Sequence, residues 1–218
     1  HSAYLDRFEL ELIMPVVGVA NPKGGAGKST LSTHVAGYFA SRGHTVMLGD
    51  VDRQQSSRLW LGLRPVQARA IASWETGDDR VVKVPKGVTH AVLDTPAGLH
   101  GWRFKDVLKM ADKVLIPLQP SIFDIYATRD FLRLLAETRH GKEVSIGLVG
   151  MRVDERTIAA NNLHKYVDTL GLPVLGYLRD TQNYVHLAAS GLTLFDVAPS
   201  RVAKDLAQWL PICHWLDS

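Results

Sequence analysis

A valine-rich apolar run, Val16–Ala20, passes through three glycines into Lys28-Ser29-Thr30. An amphipathic stretch follows directly. A continuous apolar run of this kind reads as a strand buried on both faces of a parallel sheet. Lys28 to Ser41 reads as a helix, because Leu31, Val35, Tyr38 and Phe39 fall on one face and Arg42-Gly43 ends it. A buried strand that hands over to a helix through glycines needs partner strands beside it and helices above and below.

The rest of the chain supplies them. Thr45–Gly49, Thr89–Leu93, Lys113–Leu118, Val144–Val149 and Pro173–Leu178 read as further strands. Helical patterns fall between them at Ser56–Leu61, Val66–Trp74, Tyr126–Thr138, Thr157–Leu170 and Arg201–Leu210. The expected fold is α/β, a doubly wound, mainly parallel sheet with helices on both faces. Residues 14–218 read as one domain. Residues 1–13, which open on His1-Ser2, read as a tag or leader, although Phe8, Leu10 and Leu12 alternate with Glu9 and Glu11 as a short strand would.

Composition removes other classes. With 46% hydrophobic and 22% charged residues the chain is neither disordered, collagenous nor a coiled coil. Apolar runs such as Val114–Leu118 fall far short of the roughly 20 residues that cross a bilayer. No cationic start followed by an apolar stretch marks a signal peptide. Cys213 is the single cysteine, so no internal disulfide forms and a reducing cytoplasm fits. The nine histidines show no zinc spacing. A net charge of +3 mildly favours an acidic partner.

The segment Lys23-Gly24-Gly25-Ala26-Gly27-Lys28-Ser29-Thr30 is a phosphate loop. In the strict pattern the first glycine stands where this chain has Pro22. The chemistry survives: glycines let backbone N–H groups turn towards phosphates, and the helix N-terminus adds a positive dipole. Lys28 is expected to reach the β and γ phosphates, Ser29 to ligate Mg²⁺, and Thr30 to bond the α phosphate. ATP and Mg²⁺ are the expected ligands.

The early lysine, Lys23, carries a resemblance to the deviant Walker A box of the ParA/MinD ATPases. Asp50-Val51-Asp52-Arg53-Gln54 resembles that family's Asp-x-Asp-Pro-Gln segment, with Arg53 in place of proline. Asp94-Thr95-Pro96-Ala97-Gly98 resembles its Walker B and switch segment. Pro117–Ser121, Met151–Thr157 and the stretch from Arg179 to Asp196 extend the similarity over nearly the whole chain from Met14. No helix-turn-helix precedes the loop, as in the small ParA type, which includes plasmid partitioners and carboxysome-positioning ATPases. The resemblance implies that Lys23 crosses a homodimer to the partner's phosphates, Asp52 holds the attacking water, and Asp50 and Asp94 serve the metal. It also implies an ATPase that dimerises on ATP, binds nucleoid DNA without sequence preference, and positions a cargo with an adaptor that stimulates hydrolysis.

Residues 129–204 carry ten Lys/Arg against eight Asp/Glu, a weak basic excess. Arg152, Arg156, Lys165, Arg179, Arg201 and Lys204 are the candidate DNA contacts. Two rivals differ in partner or substrate. A MinD-like membrane ATPase would end in a basic amphipathic helix. Here the stretch from Ala207 to Leu216 has no lysine or arginine, and Pro211 interrupts it, so it reads as a packing tail without stable membrane association. A metabolic enzyme of the dethiobiotin-synthetase type shares the phosphate chemistry.

Overall fold

The computed structural model describes residues 15–51, 55–74, 87–95, 107–138 and 143–218. Seven parallel strands form one sheet: β1 (Val16–Val19), β2 (Val46–Asp50), β3 (Ile71–Trp74), β4 (His90–Asp94), β5 (Lys113–Leu118), β6 (Ser145–Gly150) and β7 (Val174–Tyr177). Their order is β3-β2-β4-β1-β5-β6-β7, so β1 is central, flanked by β4 and β5. The helices are α1 (Lys28–Ser41), α2 (Ser56–Leu63), α3 (Ile122–Glu137), α4 (Ile158–Asp168), α5 (Gln182–Ala189) and α6 (Ala203–Asp217), and residues 107–110 are also helical.

Alternate residues of each strand feed different faces, as the period of two requires. Val17, Val19, Leu48, Val92, Leu115 and Val149 pack with α1 and α6 residues such as Leu31, Phe39, Trp209 and Ile212. On the other face Val114, Ile116, Leu118 and Leu148 pack with Phe131 and Leu135 of α3 and Leu163 of α4. Burial on both sides explains why the strands read as apolar runs rather than alternations.

Two sequence expectations are corrected. Val66–Trp74 is not a helix: its last four residues form β3, an edge strand paired to β2. Trp74 packs with Met47 and Leu93, and this tertiary packing outweighs the local pattern. Nor does Pro211 end the last helix, which continues to Asp217. Trp209, Ile212, Cys213 and Leu216 all insert into the core, which compensates for the hydrogen bond the proline cannot donate. The packing role of the tail is thus borne out. Helix α5 is absent from the sequence expectations; the side chain of Thr181 caps it by accepting from Asn183 N–H. The proposed N-terminal extension, Met14, and residues 52–54 and 96–98 lie outside the described residues.

Candidate nucleotide site

The carboxyl ends of β1, β2 and β4 converge where ligands bind in open parallel sheets. The phosphate loop leaves β1 there. Gly25 and Gly27 take φ of 77° and 98°, values that favour glycine, and a Cβ on Gly27 would fall 2.8 Å from the Met151 side chain. Lys28 is buried and folds back over the loop, its Nζ donating to Lys23 O at 3.1 Å. Three anchors that sequence reading missed hold the loop in place. Asn21, fully buried, accepts from Lys23 N–H at 2.8 Å and donates to Pro117 O at 2.6 Å. Gln119 Nε2 donates to Gly25 O at 2.7 Å. Asp124, in the first turn of α3, forms an ion pair with Lys23 and is buried, while Lys23 is half-exposed. The one sequence signal for Asp124 is a carboxylate a few residues past the strand that ends at Leu118.

Asp50 and Asp94 are register neighbours on β2 and β4. Ser29 Oγ donates to Asp94 Oδ2 at 2.7 Å, which brings the expected metal hydroxyl and the Walker B carboxylate together. Asp50 Oδ2 accepts from the backbone N–H of Ser57 at 2.8 Å and of Arg58 at 3.2 Å, so it caps α2 from a neighbouring strand. Burial is the main cause that pushes the Asp94 carboxyl up to about 6; hydrogen bonds from Ser57 and Ser29 offset part of that shift. Its second oxygen, Oδ1, is buried without a hydrogen-bond partner. An orphaned carboxylate oxygen beside a serine hydroxyl suits Mg²⁺, which uses one or two protein oxygens with waters and phosphates. Among the described residues no cluster of three His, Cys, Asp or Glu could hold a metal alone. Asp52 lies outside the described residues.

A cavity of about 440 Å³ adjoins the loop, lined by Gly27, Thr30, Met151, Arg152, Leu178 to Gln182, and Tyr184. Its size is that of a small-molecule site. Gln55 and Arg152, the two non-glycine residues with positive φ among those described, precede α2 and line this cavity respectively. The candidate DNA contacts separate in space. Arg152 and Arg179 line the cavity, and Arg179 is engaged by the fully buried Asp205 at 2.5 and 3.1 Å. Arg156 is exposed and pairs with Asp154. Arg201 and Lys204 are exposed at the head of α6, which also starts at the carboxyl edge, since Asp205 meets Arg179 there while Trp215 O meets Lys113 at the start of β5. Lys165 sits in the last turn of α4, which returns to the opposite edge of the sheet, away from the others.

A central parallel strand that enters a glycine loop with a folded-back lysine, beside two neighbouring strand-end carboxylates, defines a P-loop nucleotide-binding protein. The model for the CobQ/CobB/MinD/ParA nucleotide binding domain matches residues 17–194, and the chain belongs to that family. Its loop, with Lys23, is of the deviant type. It is similar to the maintenance of carboxysome distribution protein A of Halothiobacillus neapolitanus, 26% identical over 197 residues, covering 87% of this chain and 91% of that one. Protein ParA of Rhizobium radiobacter is 33% identical over 127 residues, 57% of each chain. Among solved structures, apo McdA from Cyanothece superposes with a TM-score of 0.74 at 14% identity, over 94% of this chain and 100% of that one. MinD from Aquifex aeolicus gives 0.69 at 17%, over 93% and 96%.

Proposed function

We propose that this protein is a Mg²⁺-dependent ATPase of the positioning type. It dimerises on ATP, binds duplex DNA without sequence preference, and moves or spaces a cargo with an adaptor that stimulates hydrolysis. The reading rests above all on one observation: Lys28, Ser29 and Asp94 converge at the end of β1 and β4, with Lys23 held beside them on Asp124. The relatives named for carboxysome distribution and for ParA give the cargo-positioning part its support.

The proposed division of labour assigns one task to each residue. Lys28 neutralises the terminal phosphates, and the loop amides hold them. Ser29 and Asp94 would hold Mg²⁺, which would supply positive charge to offset the charge on the phosphates. The cavity beyond Thr30 takes the base. Asp52, two positions after Asp50 in the sequence, orients the attacking water. Lys23 leaves Asp124 for the phosphates of a second protomer, where an added cation stabilises transition-state charge as an arginine finger does. Arg152, Arg156, Arg201 and Lys204 form the DNA-facing set at one edge. Arg179 is spent mainly on Asp205, and Lys165 stands too far away to join them.

The direct test is calorimetry with ATP and Mg²⁺. The protein should bind ATP and release phosphate slowly, well below a median enzyme turnover of about 10 s⁻¹, and Lys28→Ala should abolish binding. Unchanged affinity in that variant removes the phosphate-loop reading.

A further inference from the structure

Ser57 stands out among the buried polar groups near the site. It is fully buried at the start of α2, and its hydroxyl does not cap that helix, whose N-cap is Gln55. Instead Ser57 Oγ donates to Asp94 Oδ2 at 2.7 Å, while its backbone N–H donates to Asp50 Oδ2 at 2.8 Å. One residue therefore grips both carboxylates. These are register neighbours on adjacent parallel strands, where the strand spacing is about 4.8 Å. Like charges so close and so buried repel, and each needs a donor to stay ionised.

Asp94 Oδ2 has a second donor, Ser29, from the phosphate loop. Ser29 is also the hydroxyl expected on the metal. Ser57 comes from a different element and has no such second task. We propose that Ser57 is a positioning residue of the metal–nucleotide site: by holding Asp94 Oδ2 it keeps the partnerless Oδ1 oriented for Mg²⁺, and it ties the first turn of α2 to metal occupancy. The proposal rests on the nucleotide reading above.

The test uses the full chain. Affinities for ADP and ATPγS are measured by calorimetry in MgCl₂ and in EDTA, for the parent, Ser57→Ala and Ser57→Cys. The cysteine keeps the shape of the side chain, is somewhat larger, and donates poorly. The Mg²⁺-dependent gain in affinity should fall about tenfold in both variants, as expected for loss of one hydrogen bond to a charged group. A residue that served only the packing would lower both affinities together and leave the gain intact. An unchanged gain in folded variants overturns the proposal. Loss of the fold in both variants, read by circular dichroism, overturns it too, because the hydroxyl would then serve folding. A parent that gains nothing from Mg²⁺ instead overturns the metal–nucleotide reading itself, so the two failures are distinct.

Discussion

His34 lies one turn past the phosphate loop, and its neutral ring is fixed in one tautomer. Its Nε2 accepts from Leu194 N–H at 3.3 Å, so Nδ1 carries the proton and donates to Thr30 O at 2.8 Å. Tyr184, Phe195 and Trp209 surround the ring. Burial lowers its pKa from 6.5 to about 4, against the smaller raising effect of the Thr30 carbonyl. In the window between 6.5 and 4 the unfolded chain takes up a proton that the folded ring refuses. Stability contributed by this residue is therefore complete above pH 6.5 and lost as pH falls towards 4, by about 3 kcal/mol in all. Asp94 works with the opposite sign below pH 6, since its raised carboxyl favours the folded state on protonation. A variant comparison separates them: His34→Gln should show a shallower fall of thermal midpoint from pH 6.5 to 4 than the parent. His90 is lowered to about 4 by burial and then by His44, so some slope should remain. Identical slopes in parent and variant would refute the role of His34.

At the level of elements, α2 is a strut between Asp50 and Asp94 on one side and the segment before α6 on the other. Its first turn binds Asp50 and Asp94. Trp60 in its middle donates to Leu192 O at 3.4 Å. Just past its end, Arg64 grips Asp196 with two bonds, at 3.0 and 2.9 Å, both side chains nearly buried. Burial alone would raise the Asp196 carboxyl, but Arg64 and Thr193 hold it below its ordinary range. Removing one partner leaves a buried charge uncompensated. Arg64→Met should lower the unfolding free energy by about 3–5 kcal/mol. Arg64→Lys should recover only part, because the ammonium lacks the planar fork. Urea denaturation decides this through the midpoint at constant slope; a loss below about 1 kcal/mol for the methionine variant would show the pair to be dispensable.

For the whole molecule, the proposed function divides on whether an ATP-bound form would capture DNA or a membrane. No helix among the described residues is long and apolar enough to cross a membrane, and the apolar side of α6 is spent on the core. Of the exposed cations, Arg152 and Arg156 lie in the segment that joins β6 to α4, and Arg201 and Lys204 lie at the head of α6. Dimerisation would double that number on one particle. Co-sedimentation with ATPγS should therefore show DNA capture that depends on nucleotide, ignores sequence and falls steeply with salt, at about −0.9 in the log–log slope per neutralised phosphate. Charge reversal at Arg201 and Lys204 should weaken all duplexes alike and leave ATP turnover nearly intact. If the ATPγS-bound protein ignores DNA at about 50 mM salt yet pellets with anionic liposomes, the membrane-positioning reading replaces this one.

The phosphate loop, the fold class and six of the seven strands were legible in sequence because local rules set them. Glycines with positive φ must be glycines, and strands buried on both faces must be apolar throughout. Asp50 and Asp94 were legible through the family resemblance of the segments that follow the two strands. Three other features came only from the tertiary structure. Residues 71–74 became a strand because an open edge of β2 and a gap for Trp74 were available, which no window of sequence records. Pro211 stayed inside a helix because four core side chains hold that helix in place. Ser57, Asp124 and His34 acquired their partners across 37, 101 and 160 residues of chain. Such pairings obey the geometry of the sheet, where register brings β2 beside β4 and β5 beside β1, and side-chain hydrogen bonds reach only about 3 Å once that register is set.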